Sequence, residues 1–256
     1  MNKEMIQKNF SRNAAHYSAH STVQKKCAKK LFDMICLRNF DNILEIGCGT
    51  GFYTNMLRER YPAAQITAVD ISPEMINLAK KEYACRNVKF EVLDAEKVFP
   101  ERKFDLITSN AVFQWFENIG VSVKHFAKIL NPGGSFCFSI YGRETFAEFE
   151  QVLNLYWGVN NILSSSRFLP EETISKVMKE SFKEVVVKSL FLKTQFCSLM
   201  DFLQEIKFSG CRGEGLKNQH FLGKNMFKNL ENLYLDKFGG ITATHHLIFY
   251  SAKQDK

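Results

Sequence analysis

Between residues 41 and 142 short apolar runs alternate with helical segments, and that rhythm admits few folds. The runs at 43–47, 65–71, 88–93, 104–109 and 135–141 have strand length. Segment 52–60 reads as a helix with Met56 and Leu57 inward and Pro62 just beyond its end. Ser72-Pro73-Glu74 is a helix start, with a capping hydroxyl and proline at the first helical position, and Met75, Ile76, Leu78 and Ala79 follow on the buried side. A further helix spans 121–130 and stops at Asn131-Pro132-Gly133-Gly134. Short apolar strands separated by helices specify an α/β fold, a parallel sheet covered on both faces.

Outside that core the rhythm changes. Residues 1–40 read as an N-terminal helical extension or lid, with a helix expected at 22–37. Residues 143–225 carry helical stretches at 146–156, 170–179 and 199–208 around one strand-like run, 184–192, and then a loop marked by glycines 210, 213, 215 and 223. This span reads as an inserted cap. A helix at 225–238, a Gly239-Gly240 turn and a last strand at 241–251 restore the alternation.

Composition narrows the class. With 45% hydrophobic and 24% charged residues the chain is an ordinary globular one, and 256 residues suffice for a core without disulfide or metal staples. Seven cysteines show no C-x-x-C pair and no ligand-like spacing with the six histidines, so no metal is expected and a reducing compartment is. The first thirty residues contain no signal-like apolar region and no run of eighteen apolar residues occurs, so a cytoplasmic location is the expectation.

The chemistry is concentrated in Leu44-Glu45-Ile46-Gly47-Cys48-Gly49-Thr50-Gly51, at the junction of the first strand with the first helix of the alternation. Gly47, Gly49 and Gly51 let the backbone turn tightly and approach a ligand. The helix that follows presents unpaired N–H groups to it. The spacing is G-x-G-x-G after an acidic residue, not the G-x-G-x-x-G of dinucleotide sites. Asp70, with Ile71 after it, ends the second strand, and Asp94-Ala95-Glu96 follows the third. This pattern resembles the class I S-adenosylmethionine-dependent methyltransferases. The resemblance implies a Rossmann-like, seven-stranded, mostly parallel sheet with helices on both faces. It implies S-adenosylmethionine as cofactor, with Asp70 on the ribose hydroxyls and the Asp94-Ala95-Glu96 station at the adenine edge. It also places Ser109-Asn110 and Gln114-Trp115 beside the methyl group, where Gln114 and Trp115 line the methionine or the substrate side. An aromatic core cluster is the alternative for Trp115.

Over nearly its whole length the chain resembles the malonyl-acyl-carrier-protein O-methyltransferases of biotin synthesis. The matching pieces are 9–17 (Asn-Phe-Ser-Arg-Asn-Ala-Ala-His-Tyr), Ser109-Asn110 with Gln114-Trp115, 138–142, 202–210 and 240–244. Two positions depart from the family, Tyr141 and the pair Gly210-Cys211. The resemblance implies methylation of the free carboxylate of a malonyl thioester on acyl carrier protein. Such a carboxylate titrates near pH ~4 and is already ionised at neutrality, so it attacks a sulfonium methyl without a general base. Orientation then carries the catalysis. Tyr17, Tyr141 and Gln114 are candidates to orient it through neutral hydrogen bonds; Tyr17 is also a candidate lid residue over the cofactor, with simple packing of the extension as the alternative. Arg143 is a candidate clamp on the carboxylate or the thioester carbonyl, with a solvent-facing ion pair as the alternative. Lys207 is a candidate substrate contact or a solvated helix residue. His245 and His246 are adjacent in a strand and point to opposite faces, which argues against a catalytic pair.

A methyltransferase for a small free carboxylic acid is the runner-up. A nucleic-acid-binding enzyme is disfavoured, because Asn110-Ala111-Val112-Phe113 stands where an Asn/Asp-Pro-Pro-Tyr motif would be and no basic block exists. The formal charge of +7 is itself local: residues 1–40 hold eight Lys and Arg against two acids, leaving 26 against 25 elsewhere. Lys25 with Lys29 and Lys26 with Lys30 stack at i, i+4, which makes either a solvated helix face or a docking strip for an acidic carrier protein.

Overall fold

The computed structural model describes residues 2–98, 101–158, 163–209 and 223–255. In chain order the elements are α1 (Lys3–His20), α2 (Thr22–Met34), β1 (Asn42–Ile46), α3 (Phe52–Arg60), β2 (Gln65–Asp70), α4 (Pro73–Tyr83), β3 (Val88–Val92) and β4 (Phe104–Asn110). They continue with α5 (Ile119–Ile129), β5 (Leu130–Tyr141), α6 (Ala147–Trp157), α7 (Glu171–Ser181), β6 (Val185–Phe196), α8 (Leu199–Phe208), α9 (Lys224–Phe238) and β7 (Ile241–Lys253). The glycines at 210, 213 and 215, and the Gly210-Cys211 pair, lie outside the described residues.

The strands form one seven-stranded sheet in the order β3-β2-β1-β4-β5-β7-β6. β1 to β5 are parallel, with Ile43 opposite both Ile66 and Leu106, while β7 runs antiparallel between β5 and β6. The chain winds one way from β1 to β3 and the other way from β4. The crevice between the carboxyl ends of β1 and β4 is therefore the switch point, where ligands of such sheets lie. Two apolar layers sandwich the sheet: Ile43, Leu57, Ile66, Ile76 and Leu106 with Leu31 of α2 on one side, and Leu44, Ile107, Phe126 and Phe136 on the other.

Local signals account for the boundaries. Ser72 accepts a hydrogen bond from the Met75 N–H and Pro73 opens α4. Asn118 caps α5 in the same way, through the Val121 N–H. α5 ends at Ile129, and Asn131 to Gly134, expected to be a loop, instead form the start of β5, with a register shift against β4.

Two organisational expectations change. Residues 3–20 are a continuous helix, α1, within a helical extension in which a particular helix was expected only at 22–37. The span 143–225 is not one continuous cap. Ile174 and Met178 of α7 and Val185 and Val187 of β6 pack into the layer containing Phe126 and Phe136, because β6 finds its hydrogen-bond partner along β7. α6, α8 and α9 form a separate apolar cluster, through Phe149, Phe202, Leu230 and Tyr234, together with Ile241 and Ala243 of β7.

Candidate active site

The glycine loop is wrapped around the end of β2. The N–H groups of Gly47 and Cys48 both donate to the Val69 carbonyl (2.7 and 3.0 Å), and the Gly51 N–H donates to the Cys48 carbonyl (3.0 Å). Gly47 and Gly51 lie in the left-handed region (φ +71° and +88°), and a Cβ on either would overlap a neighbour: Val112 Cγ2 at 2.1 Å and Tyr83 Cδ2 at 2.8 Å. At Gly49 the nearest atom to such a Cβ is Tyr17 Cε1, at 3.6 Å. Asp70 braces the loop. Its Oδ2 accepts from the Gly49 N–H and its Oδ1 from the Ser72 N–H, each at 2.9 Å. Burial raises the Asp70 carboxyl above the usual carboxylate range, and these backbone donors offset only part of that rise.

Beside the loop lies a cleft enclosing about 830 Å³, part of it open to solvent. Of the residues singled out from sequence, Tyr17, Gly47, Gly49, Asp70, Ile71, Asp94, Ala95, Asn110, Gln114, Trp115 and Tyr141 line it. The Ser139 hydroxyl holds Asn110 by donating to its Oδ1 (2.8 Å). Ala111 has φ +57°, rare for a residue with a Cβ, and its carbonyl accepts from Gln114 Nε2 (2.6 Å). Gln114 is 4% exposed, and its Oε1 has no hydrogen-bond partner among the described residues. It offers the cleft an unused acceptor.

Five expected residues stand outside the cleft wall. Glu45 is buried beneath the loop, and Gly51 packs against Tyr83 and Ala79. Glu96 accepts from the N–H groups of Glu117 and Asn118 (3.1 and 2.6 Å) and so ties down the segment before α5. Arg143 is exposed and donates to the Ser166 carbonyl (3.1 Å), which corrects its expected place as a clamp at the cleft. The physical reason is Gly142, where a Cβ would sit 2.2 Å from the His246 ring. The chain passes that ring and enters a turn, Thr145 N–H to Gly142 carbonyl, that carries Arg143 outward. Lys207 is exposed on α8, its ammonium over the Phe208 ring.

α1 supplies the residues that sequence reasoning passed over. Lys3, Ile6 and Phe10 join Tyr17 in the cleft lining. Lys3 Nζ bridges Asp94 (2.5 Å) and Glu96 (2.6 Å), Gln7 donates to the Ile71 carbonyl (2.8 Å), and Ser11 bonds Ser72. The helix thus lies across the loops after β2 and β3. A signal for it exists in the sequence: Ile6, Phe10, Ala14 and Tyr17 fall on one helical face, after Asn2, which caps the first turn through the Met5 N–H. Polar residues around that stripe mask it. α8 closes the other side, with Ser209 lining the cleft and His20 against Glu205 (3.1 Å).

Glu45 gives the site a pH signature. Burial, helped by the nearby Asp70 charge, raises its carboxyl from 4.5 to about 8. The unfolded chain therefore loses this proton before the native state does, and native stability falls as pH rises from about 4.5 to about 8. A Glu45→Gln variant lacks this slope. Its melting temperature relative to the original chain should climb steadily across that window, as read by calorimetry at stepped pH.

A switch-point cleft with a bent glycine loop, an acid at the end of β2 and another after β3 defines a class I S-adenosylmethionine-dependent methyltransferase. The comparisons agree. Residues 44–138 match the family model described as a methyltransferase domain. Phosphoethanolamine N-methyltransferase 2 of Haemonchus contortus, solved with S-adenosylhomocysteine, shares the fold with a TM-score of 0.62 at 16% identity, over 98% of this chain and 60% of that one. Malonyl-[acyl-carrier protein] O-methyltransferase of Acetivibrio thermocellus is 33% identical over 99% of this chain and 95% of its own length. Malonyl-[acyl-carrier protein] O-methyltransferase 1 of Ilyobacter polytropus is 33% identical over 97% and 94%. The chain belongs to the malonyl-[acyl-carrier protein] O-methyltransferase family. Among the described residues no helix is long and apolar enough to cross a membrane, and no group of His, Cys, Asp and Glu is arranged to hold a metal.

Proposed function

We propose that this enzyme methylates the free carboxylate of a malonyl thioester carried on acyl carrier protein, the methyl ester serving biotin synthesis. The observation that carries this reading is the extent of the likeness. The general methyltransferase model covers only 44–138, whereas the malonyl-carrier-protein relatives match 97–99% of the chain, including α1, which borders the cleft. S-adenosylmethionine supplies the electrophilic methyl when bound, and the cleft has what that cofactor needs: open backbone at Gly49, carboxylates at Asp70 and Asp94, and the unused acceptor of Gln114. In this reading Asp70 accepts from the ribose hydroxyls, Asp94 and the backbone at Ala95 meet the adenine, and Ile71 packs on its face. Asn110, Gln114 and Trp115 border the reacting end, where Tyr17 and Tyr141 orient the substrate carboxylate. Neutral donors suit this chemistry, because a full positive charge would hold the nucleophilic oxygen too firmly. The cleft-lining residues at that end include no His, Lys or Arg.

The test is turnover of malonyl-acyl-carrier protein, malonyl-coenzyme A and free dicarboxylic acids by the purified enzyme, with the methyl ester read by mass spectrometry. Turnover of free acids alone overturns the reading. Rescue of a biotin-requiring strain that lacks this step checks the pathway.

The carrier protein would dock on α2. Lys26, Lys29 and Lys30 are exposed there, whereas Lys25 is drawn back to the Ser18 carbonyl (2.6 Å) and the Phe52 ring. Reversing Lys29 and Lys30 to Glu should raise KM for the carrier-protein substrate about 10-fold at low salt and leave malonyl-coenzyme A unchanged, with the difference shrinking as salt is added. Equal KM changes for both substrates would remove the docking strip.

A further inference from the structure

Beside the cleft lies a second, much smaller cavity, with room for little more than one water-sized group. The two share Gln24 and Ser209 as walls, so the small cavity adjoins the cleft through α2 and the end of α8. Its other walls are mostly apolar: Val23, Phe146, Phe196, Phe202 and Ile206, with Glu205 engaged by His20. One side chain does not belong in such surroundings. His245 of β7 lines the cavity, is 5% exposed, and neither of its ring nitrogens has a hydrogen-bond partner among the described residues. A buried polar ring left without partners is costly and calls for an explanation. The neighbouring His246, on the opposite face of the strand, meets Glu144 and Ser189 and is fully accounted for.

The position of His245 relative to the cleft is specific. Its ring centroid lies 6.2 Å from that of Tyr141, which lines the cleft, and 5.1 Å from that of Phe146. The two carboxyl-type carbons of a malonyl group are only about 2.5 Å apart by ordinary bond lengths. One end of such a group can face Tyr141 while the other reaches the imidazole. We propose that the malonyl group stays in the cleft and turns its thioester carbonyl oxygen into this small cavity, where His245 donates a hydrogen bond to it. The inference rests on the proposed function and assigns the end of the substrate that does not react.

Burial lowers the His245 pKa to about 4, so the ring is neutral at pH 7, with one N–H donor and one acceptor. A neutral donor fixes the carbonyl without adding a cation next to the attacking carboxylate. The thioester carbonyl distinguishes a carrier-bound malonyl group from a simple alkyl carboxylate of the same length. A site built to donate to that oxygen rejects an analogue lacking it, because the donor is then left unpaired.

The experiment compares His245→Leu and His245→Gln with the original enzyme, using malonyl-acyl-carrier protein and its thioether analogue, in which a methylene replaces the thioester carbonyl. His245→Leu should lower kcat/KM for the thioester about 10- to 100-fold, with S-adenosylmethionine affinity within about 2-fold. Its melting temperature should be equal or higher, because an unpartnered polar ring has been removed from an apolar cavity. His245→Gln, which keeps a donor, should lose less. On the thioether analogue the Leu variant and the original enzyme should perform alike, the non-additivity expected of a direct contact. Full thioester activity in His245→Leu overturns the proposal. So does a loss that appears equally on both substrates, or that tracks a fall in melting temperature or cofactor affinity. If the original enzyme itself does not methylate malonyl thioesters, the parent reading fails along with this one, and that outcome is distinguished by being visible before any variant is made.

Discussion

Gly47→Ala should remove measurable S-adenosylmethionine binding, with affinity falling at least ~100-fold. Two causes act together. The left-handed backbone at φ +71° costs about 1–2 kcal/mol for any residue with a Cβ. That Cβ would also lie 2.1 Å from Val112 Cγ2 and 2.9 Å from Cγ1, so either the loop or Val112 must move. Both line the cleft, so either movement alters the space proposed for the cofactor. A shift of about 1 Å in a positioning element is enough for a loss on the order of 10²-fold. Because Val112 is the obstacle, Val112→Ala in the Gly47→Ala background should restore part of the affinity. Calorimetric titration of the three proteins decides it, and an unchanged dissociation constant in Gly47→Ala would show that the loop does not shape the cofactor site.

The second large effect is at Asp70, where alanine and asparagine should both fail. Its two carboxylate oxygens accept separate backbone N–H groups, from Gly49 and from Ser72. Alanine strands both donors. Asparagine keeps the shape but presents an NH₂ group to one N–H, donor against donor, so only one of the two bonds survives. A buried donor without an acceptor costs about 1–3 kcal/mol, or roughly 10- to 100-fold in an equilibrium. In the proposed function, loss of the ribose contact adds to this. Asp70→Ala should therefore bind S-adenosylmethionine at least ~100-fold more weakly and Asp70→Asn at least ~10-fold. Both should melt lower, at about 2–4 °C per kcal/mol for a chain of this size. Retained affinity in Asp70→Asn would mean that the residue only fills space.

These two residues belong to the part of the molecule that local sequence determines. A tight turn has to follow β1, and the glycines say so. A strand end has to be capped, and Asp70 followed by Ser72-Pro73 is a legible cap. The alternation of strand and helix specifies the parallel sheet, and with it the switch point where the glycine loop and the Asp70 and Asp94 stations converge. All of this depends on contacts close in the chain or on the periodicity of burial, which a sequence carries directly.

The tertiary structure decided what covers that crevice. α1 has a weak apolar stripe in a polar helix, and its role follows only from Lys3 meeting Asp94, more than ninety residues away, and Gln7 meeting Ile71. Arg143 looked suited to a carboxylate, yet the approach of Gly142 to His246, a contact made across the β5–β7 pairing, turns it outward. The alternation rule placed His245 and His246 on opposite faces, but it could not say that one face is polar and satisfied while the other closes an apolar cavity beside the cleft. Burial and pairing between distant segments are sums over the whole fold. The glycine loop and the acids after β2 and β3 were therefore written in local sequence, and what covers the crevice emerged only when the helices around it were packed.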